Sequence, residues 1–283
     1  MPAKPTVAIV GPGRLGTALA LQLASAGYRI SEIASRTPAS RRQVRALAQD
    51  LKARSSHYHD LRLDAGLVWL CVPDREIAAV AAELAVLGIW KGKTVFHSSG
   101  ALDSDTLNVL RERGASVASV HPMMTFVRGA VPTMKGITFA LEGDAAAVRL
   151  ARRVVRDFKA RTFLIRKEHK AAYHAWGAFA SPLLLAALVT AERVAQSVGL
   201  KKAEARRIML PIICQTFVNY AALGPAGAFS GPLVRGDADI VRKHLQALKR
   251  VPQARAVYIA LARSALHYLP VKNRRQLEKA LKG

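Results

Sequence analysis

The opening of the chain restricts the possible folds more than any other stretch. Val7-Ala8-Ile9-Val10 is apolar and strand-forming, Gly11-Pro12-Gly13-Arg14-Leu15-Gly16 follows at once, and an alanine- and leucine-rich run then reaches Gly27. This order predicts a buried strand, a glycine turn and a helix. G-x-G-x-x-G spacing in that context is far more specific than the glycines alone. Gly11 permits the tight turn, Gly13 lets backbone approach a pyrophosphate, and Gly16 lets the helix pack on the strand. A helix starting near Arg14 and Leu15 aims its unbonded N–H groups and positive dipole end at that anion.

The next strand decides which dinucleotide is expected. Sites for NAD carry an acidic residue about twenty positions on, which holds the ribose 2′-hydroxyl. Here the strand reads Arg29-Ile30-Ser31-Glu32-Ile33-Ala34 and ends on Ser35-Arg36-Thr37. A guanidinium flanked by two hydroxyls suits a 2′-phosphate, because Arg forks onto phosphate oxygens. Arg41 and Arg42 follow close by. NADP is therefore expected ahead of NAD, although a shorter strand register would make Glu32 the acidic residue of an NAD site.

Strand and helix signals alternate through the first half. A helix over 39–53 is followed by a strand near His57-Tyr58 and the apolar run Leu67 to Val72, as in a parallel strand covered on both faces. Pro73 ends that strand, and Asp74 is placed to cap a helix over 77–87. Further strands are expected at 94–97, 116–120, 136–141 and 162–165, with a helix over 145–158. The pattern is α/β, a doubly wound sheet with its ligands at the carboxyl ends of the strands. Beyond Arg166 helical periodicity takes over, at 168–198, 202–223, 238–248, 252–269 and 273–281, broken by a Gly- and Pro-rich segment at 224–232. The expected domains are 1–166 for the nucleotide and 167–283, all α, for substrate and dimerisation. The apolar stretch Ala175 to Ala191 contains Gly177, Ser181 and Pro182 and reads as a buried helix, not a membrane span.

Composition narrows the class further. Cys71 and Cys214 are the only cysteines, so neither a disulfide framework nor a zinc site is implied and a reducing cytoplasm is expected. The net charge of +24 is spread along helices with no nucleic-acid motif, which points to arginine bias in an Ala/Leu/Arg-rich sequence together with steering of anionic ligands, and not to a specific nucleic-acid site. An uncharged central helix in the second half predicts a homodimer.

Three segments fall on the ligand-bearing edge: Val72-Pro73-Asp74 beside a ribose, His97-Ser98-Ser99-Gly100 beside a nicotinamide, and Val120-His121-Pro122-Met123-Met124. Their order resembles the Rossmann superfamily that contains prephenate dehydrogenase, pyrroline-carboxylate reductase and the deazaflavin-dependent NADP reductases. The His121-Pro122-Met123 segment is similar to the prephenate dehydrogenase pattern, where that histidine meets substrate. The whole chain, including Ser230-Gly231-Pro232-Leu233-Val234-Arg235-Gly236-Asp237, resembles Rossmann-like proteins with a helical C-terminal domain of unknown function. Beta-hydroxyacid dehydrogenases carry K-x-x-x-N on the helix after the nucleotide domain. The matching place here holds Lys170 and His174, one turn apart, with histidine replacing asparagine.

These residues predict an NADP-dependent oxidoreductase acting on a small anionic carbonyl, imine or hydroxy compound. His121, Lys170 and His174 are the proton-exchange candidates, Ser230 and Arg235 the substrate contacts, and no metal is expected. The alternative is an NADP-holding sensor or scaffold without turnover.

Overall fold

The computed structural model describes residues 3–35, 41–129 and 132–282. Two compact units result, Met1–Gly177 and Ala178–Gly283. The division falls after Gly177 and not at the compositional change near Arg166, because the first turns after Arg166 pack onto the sheet.

In the first unit, β1 (Val7–Val10), β2 (Ile30–Ser35), β3 (Arg54–His57), β4 (Leu67–Leu70), β5 (Thr94–His97) and β6 (Ser116–Pro122) pair in parallel in the order β3-β2-β1-β4-β5-β6. This is the doubly wound Rossmann order, reversing direction between β1 and β4. The sheet continues into β7 (Thr138–Gly143), antiparallel to β6, and β8 (Arg161–Leu164), parallel to β7. No helix bridges β6 and β7 among the described residues, and without such a crossover a neighbouring strand returns antiparallel.

Alternation along the strands explains the two cores. Val7 and Ile9 of β1 face one side with Trp69, Phe96 and Phe139, covered by α1 (Arg14–Ser25), α2 (Arg41–Asp50) and α5 (Ala145–Asp157). Ala8 and Val10 face the other with Val68, Leu70 and Val95, covered by α3 (Asp74–Ala85) and the short α4 (Asn108–Arg111). Each fully buried Val, Leu, Ile or Phe contributes roughly 1.5–3 kcal/mol, so both sheet faces stabilise the edge that carries the site. Asp74 is the first residue of α3 behind Pro73 and does not cap it.

The stretch expected as one helix over 168–198 is two: α6 (Lys170–Ala180) and α7 (Pro182–Ser197). They break at Ser181 because Pro182 has no N–H to continue the ladder and excludes helical backbone before it. The helix expected over 202–223 breaks at Gly224, at φ 70°, as its bounds implied, and a short helical stretch to Ala228 follows; the two together are α8 (Lys202–Ala228). Then come α9 (Pro232–Arg235), α10 (Ala238–Ala247), α11 (Pro252–Tyr268) and α12 (Arg274–Ala280). Val241, Leu245, Leu266, Leu277 and Leu281 form a small core here.

The expectation of a buried Ala175 to Ala191 helix is not met within the single chain. Leu183 is 49% and Leu185 61% exposed, and α8 buries only Ala205 while showing Ile208, Ile212, Phe217, Val218 and Leu223. These helices have faces that the chain itself does not cover. By length and composition, Lys167–Ser197 and Lys202–Arg235 could each cross a membrane; helical backbone breaks at Ser181 in the first and at Gly224 in the second.

Candidate active site

The glycine turn sits where β1 ends. Gly11 adopts φ +90°, and a Cβ there would lie 2.8 Å from Val72 Cγ1 and 2.9 Å from the Cys71 carbonyl carbon. A Cβ on Gly16 would collide with the Gly11 carbonyl oxygen and stand 3.0 Å from Cys71 Cβ. Both positions therefore need glycine for packing. Gly13 differs: a Cβ there meets nothing among the described residues within 4 Å. It faces open space at the N-terminus of α1, which carries no side-chain cap. The first amides of a helix have no internal acceptor, so the turn offers N–H donors to an anion in the space that a Gly13 side chain would fill.

At the end of β2 the structure resolves the Glu32 alternative. Glu32 is interior to the strand and buried, its Oε1 accepting from Arg54 Nη1 at 2.9 Å and its Oε2 from the Arg62 amide at 3.0 Å. The strand continues to Ser35, which pairs with His57. Serine, not a carboxylate, thus occupies the strand's end, and Glu32 is committed to holding β3 and its following loop. Arg36 and Thr37 lie outside the described residues, as do the side chains of Arg41 and Arg42.

The β5 edge is a buried hydrogen-bonded turn. His97 Nε2 meets the Asp103 carbonyl at 2.9 Å, and its Nδ1 accepts the Ser99 amide at 3.1 Å. Burial lowers the His97 pKa to about 4, so it is a neutral brace, not a proton donor. Ser98 Oγ accepts from Trp69 Nε1 at 2.8 Å. Ser99 Oγ donates to Asp74 at 2.7 Å and accepts the amides of Ala101 and Leu102. Both hydroxyls serve the turn itself, and the role found for Asp74 is to anchor Ser99.

Around this turn four side chains converge. Lys170, buried at the start of α6, donates from Nζ to the Ser99 carbonyl at 3.0 Å and to the Ser119 hydroxyl. Tyr173 Oη lies 2.7 Å from His121 Nδ1, and the two rings meet edge to face at 5.4 Å. His174 stands perpendicular to His121 at 6.0 Å. A Cβ on Gly100 would fall 2.6 Å from His174 Cδ2 and 2.8 Å from His121 Nε2. Gly100 therefore lets the two imidazoles close over the turn.

Burial, reinforced by the positive charge of Lys170, lowers the His121 pKa to about 4, and burial raises that of Tyr173 to about 12. Burial likewise lowers Lys170 to about 8, against a pull upward from Glu142. Lys170 and His174 share a helix edge as their spacing implied, but only His174 is exposed. Tyr173 and Ser119 were not singled out in the sequence. Tyr173 could have been found, because positions 170, 173 and 174 lie on one side of a helix.

A stability consequence follows from the buried amine. Between pH 8 and 10.5 the unfolded chain holds a proton on Lys170 that the folded chain has released, so stability rises with pH across that window. Lys170→Met should lose this rise, up to roughly 3 kcal/mol at about 1.36 kcal/mol per pKa unit. Urea unfolding of both proteins at each end of the window measures it. Parallel pH curves for the two would contradict an interior amine.

In the second unit, Arg235 Nε pairs with Asp237 at 2.8 Å. Arg235 thus has a structural partner that the sequence did not suggest. Asp237 precedes α10 without a side-chain cap. Ser230 lies between the end of α8 and α9.

Family models match both halves. Residues 1–122 fit the Rossmann-like domain, and residues 137–265 fit a domain of unknown function, DUF2520. The chain joins a Rossmann-like domain to a DUF2520 domain. The DUF2520 match begins at β7, so it takes in the sheet's last two strands as well as the helices. A search of the curated proteins finds no match. Among solved structures, a Bacteroides fragilis protein provisionally named an NADP oxidoreductase is similar at TM-score 0.77 and 23% identity, covering 92% of this chain and 97% of that one. A Thermotoga maritima protein aligns at TM-score 0.73 and 23% identity over 98% of both chains. A reductive aminase from Aspergillus terreus, solved with NADPH and ethyl-5-oxohexanoate, aligns at TM-score 0.65 and 18% identity over 94% of both. At these identities the likeness establishes the fold.

Proposed function

We propose that this chain is an NADP-dependent oxidoreductase transferring hydride to or from a small anionic carbonyl, imine or hydroxy compound. The observation that carries the reading is the pairing, along one sheet edge, of an uncapped helix start opening onto free space at Gly13 with the imidazole of His121 beyond the β5 turn. The NADPH found with the reductive aminase neighbour agrees with it.

Gly11, Gly13, Arg14, Leu15 and Gly16 would hold the pyrophosphate. Ser35, Arg36 and Thr37 would surround the 2′-phosphate, Val72, Pro73 and Asp74 would line a ribose, and Ser98 and Ser99 the nicotinamide. Such a dinucleotide supplies or accepts the hydride.

His121 holds the accompanying proton at Nε2. Tyr173 fixes the ring through Nδ1, leaving Nε2 toward Gly100. In the free protein burial keeps this imidazole neutral. An anionic substrate beside it supplies the opposite charge that raises an imidazole's pKa, so proton uptake accompanies substrate binding. Lys170 contributes its charge from beneath the turn, and His174 lies at the exposed rim.

The exposed apolar faces of α7 and α8 fit a second copy of the chain, and light scattering should return a dimer mass. The reading keeps the protein in the cytoplasm, with neither nucleic acid nor membrane as a specific partner.

The competing reading, a dinucleotide-holding sensor, is favoured by the engagement of Lys170 and the neutrality of His121. NADPH consumption against a panel of keto acids, cyclic imines and aldehydes, and NADP reduction with hydroxy acids, separate the two. Turnover of any member supports the oxidoreductase. Tight NADPH binding with no turnover selects the sensor, and no binding at all defeats both.

A further inference from the structure

A second feature lies at the outer end of the same sheet edge. A cleft of about 230 Å³ opens beside the carboxyl ends of β2 and β3, lined among others by Ser35, Arg45, Arg54, Ser56, His57 and Asp60. Strand register sets Ser35 against His57 and Ala34 against Ser56, so β3 delivers its last two residues level with the end of β2. Ser56 Oγ is buried and has no hydrogen-bond partner among the described residues. An orphaned interior hydroxyl costs free energy unless something outside the chain bonds to it.

The charges in this cleft are asymmetric. Arg54 is committed twice, to Glu32 at 2.9 Å and to the Asp60 carbonyl at 2.9 Å. That engagement also neutralises Glu32, the only carboxylate within β2. Arg45, projecting from α2 and exposed, has no carboxylate partner among the described residues. The remaining acid is the Asp60 side chain at the rim. The lining thus offers a guanidinium, hydroxyls and an imidazole against one carboxylate, a set suited to a dianionic phosphomonoester and poorly suited to a neutral ribose hydroxyl.

We propose that Arg45 of α2, with Ser56 and His57 of β3, forms a wall of the pocket that recognises the 2′-phosphate on the adenosine side of the cofactor, so that the third strand helps choose NADP over NAD. The inference rests on the reading that the chain binds NADP, and it adds residues that lie beyond the segment following β2.

Titration calorimetry on the full-length protein tests it with NADPH, NADH, 2′,5′-ADP and 5′-AMP. The parent should bind NADPH over NADH and 2′,5′-ADP over 5′-AMP. Arg45→Gln should weaken NADPH and 2′,5′-ADP about 10- to 100-fold, the range for loss of a charge-assisted contact, and leave NADH within twofold. Ser56→Ala should produce a smaller loss with the same selectivity. Asp60→Asn should tighten NADPH. Equal weakening of NADPH and NADH by Arg45→Gln, or no weakening, overturns the assignment while NADP binding stands. So does loss of NADH affinity in Asp60→Asn, which would make Asp60 a ribose ligand. A parent that binds neither dinucleotide overturns both the assignment and the reading beneath it.

Discussion

Gly13→Val should fold as well as the parent protein and lose dinucleotide affinity by about 100-fold or more. The residue's backbone sits at φ −71° and ψ −162°, where any L-amino acid is at ease. Its Cβ would touch no atom of the described residues within 4 Å, so their packing is undisturbed. What such a side chain would displace is a ligand drawn onto the amides at the start of α1. Losing two charge-assisted hydrogen bonds at about 1.5–3 kcal/mol each accounts for at least that factor. Thermal unfolding and NADPH titration, run on the same preparation, read the two halves of the expectation separately. Gly16→Val serves as the contrast. Its Cβ would be forced into the Gly11 carbonyl, and it should fail to fold. If Gly13→Val binds NADPH as the parent does, the glycine turn is not the phosphate cradle.

His121→Asn should lower turnover about 10²- to 10⁴-fold, the usual contribution of a positioned acid or base, with NADPH affinity unchanged. Asparagine keeps a polar group near Gly100 but cannot exchange a proton. Tyr173→Phe should have a smaller effect, since it frees Nδ1 without removing the imidazole, and it should displace the pH profile of kcat/KM. The sign of that profile is fixed by the imidazole. Its protonated fraction falls as pH rises from about 4, so reduction should slow toward alkaline pH and oxidation should quicken. Turnover of His121→Asn within threefold of the parent would remove His121 from the reaction.

The glycine turn, the alternation of strands and helices and the carboxyl edge of the sheet were legible because each is written in local chemistry. Residues 7–16 carry their own spacing rule, and Val7 to Val10 or Leu67 to Leu70 show by unbroken apolarity that both faces are covered. What could not be read is what depends on distant partners. That Ser99 would spend its hydroxyl on Asp74, twenty-five positions earlier, follows from the pairing of β4 with β5 and leaves no trace in either segment. The antiparallel return of β7 depends on a missing crossover helix, and Arg235 found its carboxylate two residues along a turn whose shape the sequence left open. In the helical half, periodicity located the helices well, but it could not tell a face buried by the chain from one left bare.

The placement of Lys170 governs how this fold can be cut and recombined. A fragment ending at Arg166 would withdraw the amine that bonds the Ser99 carbonyl and the Ser119 hydroxyl, leaving the hydroxyl without a donor, the carbonyl with only its bond from Ser119 at 3.1 Å, and the β5 turn without its plug. Exchange of helical halves between related chains should therefore succeed only at joins made past Gly177. The first turns of α6, although helical and C-terminal, are inherited with the sheet.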